Sequence, residues 1–126
     1  MSRIFVISGS RSINKLPYEV YEVLDRIIQG EYQVYIGDAP GVDSLVQQYL
    51  INKYYTKVTV WGCSKGLRTC LFPDYIIVPG NYSDRDKEMF IAAKGNFHLA
   101  IWDGKSKGTY SNLNRKELIH KVVMVE

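Results

Sequence analysis

The sequence is poor in cysteine and histidine, has no long apolar run, and carries no strong excess of charge. Cys63 and Cys70 are the only cysteines among 126 residues, and His98 and His120 the only histidines. Two cysteines seven apart with no second pair support neither a zinc site nor a disulfide framework, so free thiols in a reducing compartment are expected and no metal is assigned. After Met1-Ser2-Arg3 the first apolar run is Ile4-Phe5-Val6-Ile7. That is too short for the apolar region of a secretory signal and far too short to span a bilayer. The expectation is a cytoplasmic protein with no membrane partner. Sixteen Lys and Arg against thirteen Asp and Glu leave a formal charge of +3, well short of the dense basic stripe of a dedicated nucleic-acid binder. The mild excess favours anionic ligands, keeps nucleic acid as a less favoured partner, and leaves a homo-oligomer open.

What is present suits one ordinary domain over residues 1–126: 46% hydrophobic and 13% aromatic content is enough for a core without staples. Ile4 to Ser8 is β-branched and continuous, as expected of a strand buried on both faces of a parallel sheet. Val20, Val23, Leu24, Ile27 and Ile28 form one apolar stripe at helical spacing, beginning after Pro17 and stopping at Gly30. Gln33 to Ile36 is a second strand, and Val42, Leu45, Val46, Tyr49 and Leu50 mark a second helix. Lys57 to Trp61 is a third strand. Residues 62–80 are broken by glycines and prolines and are left irregular, apart from a short apolar run at Tyr75 to Val78. Ser83 or Asp84 is expected to cap a helix through about Lys94. Phe97 to Trp102 is a further strand, a weaker helix follows, and Val122 to Val125 closes the chain. The alternation predicts a Rossmann-like three-layer α/β/α sandwich, with a mostly parallel sheet of about five strands.

In such a sheet ligands bind beyond the carboxyl ends of the strands. Three loops at that edge are rich in glycine: Gly9-Ser10-Arg11-Ser12, then Gly37-Asp38-Ala39-Pro40-Gly41-Val42-Asp43, and Gly104-Lys105-Ser106-Lys107-Gly108-Thr109. Glycine lets a backbone take positive φ and approach a ligand, and the following helix amides point outward. The third loop adds two lysines and two hydroxyls suited to phosphate oxygens. Asp38 and Asp43 either hold ribose hydroxyls or cap the second helix, and capping is the expectation for Asp43. Arg85 opens the third helix, where a cation opposes the dipole. Either a ligand anion or a local pairing with Asp84, Asp86 or Glu88 accounts for it. His98 and His120 lack triad or metal spacing and read as packing or surface histidines. The scattered tyrosines read as core or rim residues rather than a stacking platform.

These loops, in order, resemble the SLOG superfamily. This Rossmann-like group includes the LOG-type nucleotide phosphoribohydrolases and the DNA-processing protein A family, and the likeness is greatest to small stand-alone YspA-like members. Four segments carry the resemblance across nearly the whole chain: Val6 to Arg11, Gly37 to Asp43, Asp84 to Met89, and Trp102 to Thr109. It implies a pocket for a nucleotide or nucleotide-derived ligand and no further cofactor. Gly9, Ser10 and Arg11 would form one wall, with Gly37, Asp38, Gly41 and Asp43 beside it. Arg85 would reach in, and Gly104, Ser106, Gly108 and Thr109 would hold phosphate. The hydrolytic members carry an Arg-Lys pair at the third helix and a glutamate three residues past the glycine-threonine pair. Here the first reads Arg85-Asp86 and the second position is Asn112. An amide cannot exchange the proton that N-glycosidic hydrolysis requires, so binding or sensing is the leading expectation. Hydrolysis, with Asp38 or Asp103 as substitute carboxylate, and single-stranded DNA binding are the rivals.

Overall fold

A computed structural model describes residues 3–126. Strand β1 (Ile4–Gly9) leads to helix α1 (Tyr18–Gln29), β2 (Gln33–Gly37), α2 (Val42–Asn52), β3 (Val58–Cys63) and β4 (Tyr75–Val78). Helix α3 (Tyr82–Ala92), β5 (Phe97–Trp102), α4 (Lys107–Leu113) and β6 (Ile119–Met124) complete the chain. The six strands lie in the order β4-β3-β2-β1-β5-β6, and every neighbouring pair is parallel. The architecture is therefore the expected Rossmann-like α/β sandwich, with six strands rather than about five. The additional strand is the short run Tyr75 to Val78, an edge strand with residues 75–77 exposed. Four residues among turn formers offer too little pattern to mark a strand; pairing with β3 makes it one.

The apolar stripe of α1 buries Val20, Val23, Leu24 and Ile27 against one face of the sheet, together with Val42, Val46 and Leu50 of α2 and Ile7, Ile36, Leu99 and Ile101 of the strands. Each such side chain contributes on the order of 2 kcal/mol through the apolar surface it removes from water. Val6, Trp61 and Val78 point to the other face, where Met89, Phe90 and Ala93 on and beside α3 cover them. Helix α4 joins α3 on that side through Asn112 Nδ2, which donates to Asp86 Oδ2 at 3.1 Å.

Several boundaries differ from the sequence reading, each because a side chain or a strand partner decides it. Strand β3 runs from Val58 to Cys63, two residues past Trp61, because Gly62 and Cys63 pair with Ile77 and Val78 of β4. Helix α3 is capped by Asn81, not by Ser83 or Asp84; the Asn81 side chain accepts from the Asp84 N–H while the Asp84 carboxylate accepts from the Asn81 N–H. It ends at Ala92, two residues before Lys94. Strand β6 starts at Ile119, where the ladder to Phe97 begins.

The chain steps outward from β1 through β2 and β3 to β4, then returns to the other side of β1 as β5. That reversal opens a crevice between the loops that follow β1 and β5. Residues 64–74 cross from β3 to β4 without a helix. Gln47, buried on α2, pins them by donating to the Thr69 carbonyl and accepting from the Leu71 N–H.

Candidate functional site

The three glycine-rich loops face one another across a cleft of about 610 Å³ at the carboxyl edge of the sheet, a volume suited to a small organic ligand. Of the twelve residues expected at a site, eight line it: Gly9, Arg11, Gly37, Asp43, Arg85, Ser106, Gly108 and Thr109. Ser10, Asp38, Gly41 and Gly104 do not line it. Ser10 instead ties the loops together. Its hydroxyl accepts from the Asp103 N–H at 3.1 Å, and its carbonyl accepts from the Val42 N–H at 3.4 Å. Gly41 turns the second loop at φ +81°, and a Cβ there would lie 2.5 Å from the Arg11 carbonyl oxygen. Gly9 is needed for a similar reason, since a Cβ would meet the Ile101 carbonyl at 2.5 Å and Val42 at 2.6 Å. Both glycines are required by the close packing of one loop on another.

Asp38 is fully buried and belongs to the support beneath the cleft. Its Oδ1 accepts from Arg68 Nη2 at 3.0 Å and from Arg85 Nη1 at 3.1 Å, and its Oδ2 accepts from the Arg68 N–H at 2.9 Å. Burial alone would raise this carboxyl's pKa, but the hydrogen bonds and charge of Arg68, helped by Arg85, hold it below the ordinary carboxylate range. Arg85, 6% exposed, also donates to the Trp61 carbonyl at 2.8 Å and to Asp86 at 2.7 Å. Of the two readings of this arginine, the internal pairing with Asp86 is present, extended by Asp38 just beyond β2, a partner that sequence spacing could not reveal.

Asp43 does not cap α2. The N-cap is Gly41 without a side-chain bond, and the Asp43 carboxylate turns back to accept from the Ala39 N–H at 3.1 Å. It is 5% exposed. Burial pushes its pKa up to about 7; Arg85 opposes the rise, and Asp86 and Asp38 add to it. A carboxyl that titrates near neutrality inside a cleft is the kind of group that acid–base chemistry uses.

The third loop folds around Asp103. Its Oδ1 accepts from the N–H groups of Lys105 and Ser106, both at 2.8 Å, and its Oδ2 from Ser12 Oγ at 2.7 Å. The Ser106 amide, then Ser12 and the Lys105 amide, hold this carboxyl far below its ordinary range. Two amides expected to face a phosphate are thus held by the loop's own carboxylate. The next three, from Lys107, Gly108 and Thr109, precede the first bond within α4, which runs from the Tyr110 N–H to the Ser106 carbonyl. Asn112 bridges Asp86 and Arg115.

The sequence reading passed over Ser8, Arg68, Tyr82 and Met89, all of which line the cleft. Arg68 comes from the segment left irregular, and its guanidinium lies 4.0 Å from the centre of the Tyr82 ring. No local pattern marks it, because its partner is 30 residues away. Ser8 sits inside the strand run, where alternation says only which face it takes.

Comparison with protein-family models, with curated proteins and with solved structures gives no match. The fold and cleft define a Rossmann-like α/β domain with a mixed-charge crevice at its switch point. No helix among the described residues is long and apolar enough to cross a membrane.

Proposed function

We propose that the cleft binds a nucleotide or nucleotide-derived ligand and that the chain is a SLOG-type binding or sensing module. One observation carries this reading: three loops distant in sequence converge on a single cleft where Arg11, Lys105 and Lys107 have no ion-pair partner among the described residues. Cations of this kind, beside unpaired amides, complete an anion site. Tyr82 and Met89 add an apolar wall for the uncharged part of the ligand. Calorimetric titration with a nucleoside monophosphate, the matching nucleoside and ribose 5-phosphate tests the reading. The phosphate-bearing molecules should bind and the nucleoside should not. Gly108→Asp has open space for its side chain, so it should leave folding cooperative while weakening binding about tenfold or more through charge. Unchanged affinity in that variant rejects the site.

A second reading, hydrolysis of an N-glycosidic bond, is favoured by Asp43. Asp38 lies under two guanidinium groups, Asp103 on its own loop donors, and Asp86 accepts from Arg85 and Asn112, which leaves Asp43 as the carboxyl of the cleft able to exchange a proton near pH 7. Chromatography of nucleoside monophosphates after incubation should show free base from the wild type and none from Asp43→Asn. Equal release by both excludes Asp43 as the acid or base.

A further inference from the structure

Sheet register places a chain of three side chains across the α3 face, starting at the cleft. Val6 of β1 stands opposite His98 of β5, which stands opposite His120 of β6. Ser8 is two residues beyond Val6 and therefore on the same face. Its hydroxyl lies 2.7 Å from His98 Nε2, His98 Nδ1 lies 2.7 Å from His120 Nδ1, and His120 Nε2 lies 2.5 Å from the Arg115 carbonyl oxygen.

The partners determine the protons. A carbonyl only accepts, so His120 Nε2 carries hydrogen, and in the neutral ring its Nδ1 is then an acceptor. His98 Nδ1 must therefore donate, which leaves His98 Nε2 as the acceptor for the Ser8 hydroxyl. This is the orientation of a serine beside a general base whose far nitrogen is oriented by a third group. His98 is fully buried, with Phe90 edge-on at 4.8 Å, so a charge resting there is costly. That burial, with His120 adding to it, pushes its pKa down to about 3 and keeps the ring neutral at pH 7. His120 is only partly buried, so a proton handed on from His98 comes to rest where solvent can stabilise the charge.

We propose that Ser8 is a nucleophilic serine of the cleft, its proton drawn through His98 to His120, and that it accepts a phosphoryl group from an anionic phosphate ester. The choice of a phosphate ester rests on the phosphate-binding reading above; the nucleophile itself does not. In the step, Ser8 Oγ bonds to phosphorus while the ester P–O bond breaks, its electron pair leaving with the ester oxygen. The Ser8 proton moves to His98 Nε2 and the His98 Nδ1 proton to His120 Nδ1, giving a cationic His120 and an oxyanion leaving group. Water attack on the phosphoserine, with return of the proton, releases phosphate.

The test uses the whole chain with p-nitrophenyl phosphate, p-nitrophenyl acetate and an alkyl fluorophosphonate, with peptide mass spectrometry to locate adducts. The fluorophosphonate should modify Ser8 and spare Ser10 and Ser12, and the phosphate ester should release nitrophenolate in a burst that leaves phosphoserine at position 8. Ser8→Ala should abolish both. His120 is a positioning residue. His120→Ala should slow labelling roughly a hundredfold and shift the His98 imidazole ¹⁵N resonances away from the Nδ1–H form. His120→Gln, whose amide oxygen can accept the same N–H, should restore that resonance pattern. If the fluorophosphonate leaves Ser8 unmodified in a protein that unfolds cooperatively, the nucleophile is rejected. If Ser8 reacts with the acetate and the fluorophosphonate but not with the phosphate ester, the substrate class is rejected while the nucleophile stands. A wild type that binds the nucleoside monophosphate while Ser8 stays unlabelled keeps the phosphate-site reading and rejects this one.

Discussion

Asp43 and His98 should act against each other in the pH dependence of stability, and Asp43→Asn should expose the imbalance. Burial raises the Asp43 carboxyl from its ordinary 3.8 to about 7. Between those values the native state holds a proton that the unfolded chain lacks. The stabilisation from protonated Asp43 is therefore present below about pH 4 and is lost as pH rises through 7. Burial and His120 lower His98 from 6.5 to about 3. Between those values unfolding takes up a proton that the native state excludes, so its contribution is present above 6.5 and is lost as pH falls towards 3. From pH 4 to 6.5 the two proton changes cancel, and the wild type should show a nearly level stability. Asp43→Asn keeps an acceptor for the Ala39 N–H and removes one side of the balance. Its stability should rise with pH across that window, by on the order of 3 kcal/mol in all. Urea unfolding followed by tryptophan fluorescence at several pH values measures both slopes. Parallel profiles for wild type and variant would refute the opposed titrations.

Two further outcomes follow from the support beneath the cleft. Asp38→Asn leaves Arg68 and Arg85 without their shared carboxylate at a fully buried position, and should cost about 3–5 kcal/mol in equilibrium unfolding; a loss under about 1 kcal/mol would mean that the network contributes little. Gly41→Ala puts a Cβ against the Arg11 backbone at a φ of +81° and should cost about 2 kcal/mol or more. It should also weaken nucleotide binding by displacing Arg11, which parallel thermal-shift and calorimetric measurements would detect.

Much of the architecture was legible because strand and helix each write a period into the sequence. The apolar stripe from Val20 to Ile28 and the continuous run from Ile4 to Ser8 correspond to α1 and β1 within a residue or two. Their alternation implied parallel pairing. Strand β4 was legible only as a short apolar run, Tyr75 to Val78: its four residues become a strand through β3, and the glycines and prolines around it mask the pattern. The loops were legible as glycine-rich turns at strand ends, and seven of their expected residues line the cleft, with Arg85 of α3 an eighth. The roles within them were not. Asp43 looked like a helix cap and is a buried acid; Asp38 looked open to a sugar and lies beneath two guanidinium groups.

Local sequence, then, determined which segments are strands and helices and that glycine-rich turns follow β1, β2 and β5, with cations in the first and last of them, because periodicity and backbone freedom are properties of neighbours along the chain. Tertiary structure alone decided that Arg68 meets Asp38, that burial moves the Asp43 proton to neutral pH, and that Ser8, His98 and His120 stand in one row. Those facts depend on register between strands distant in sequence and on removal from water, and neither quantity exists until the sheet has closed its two faces.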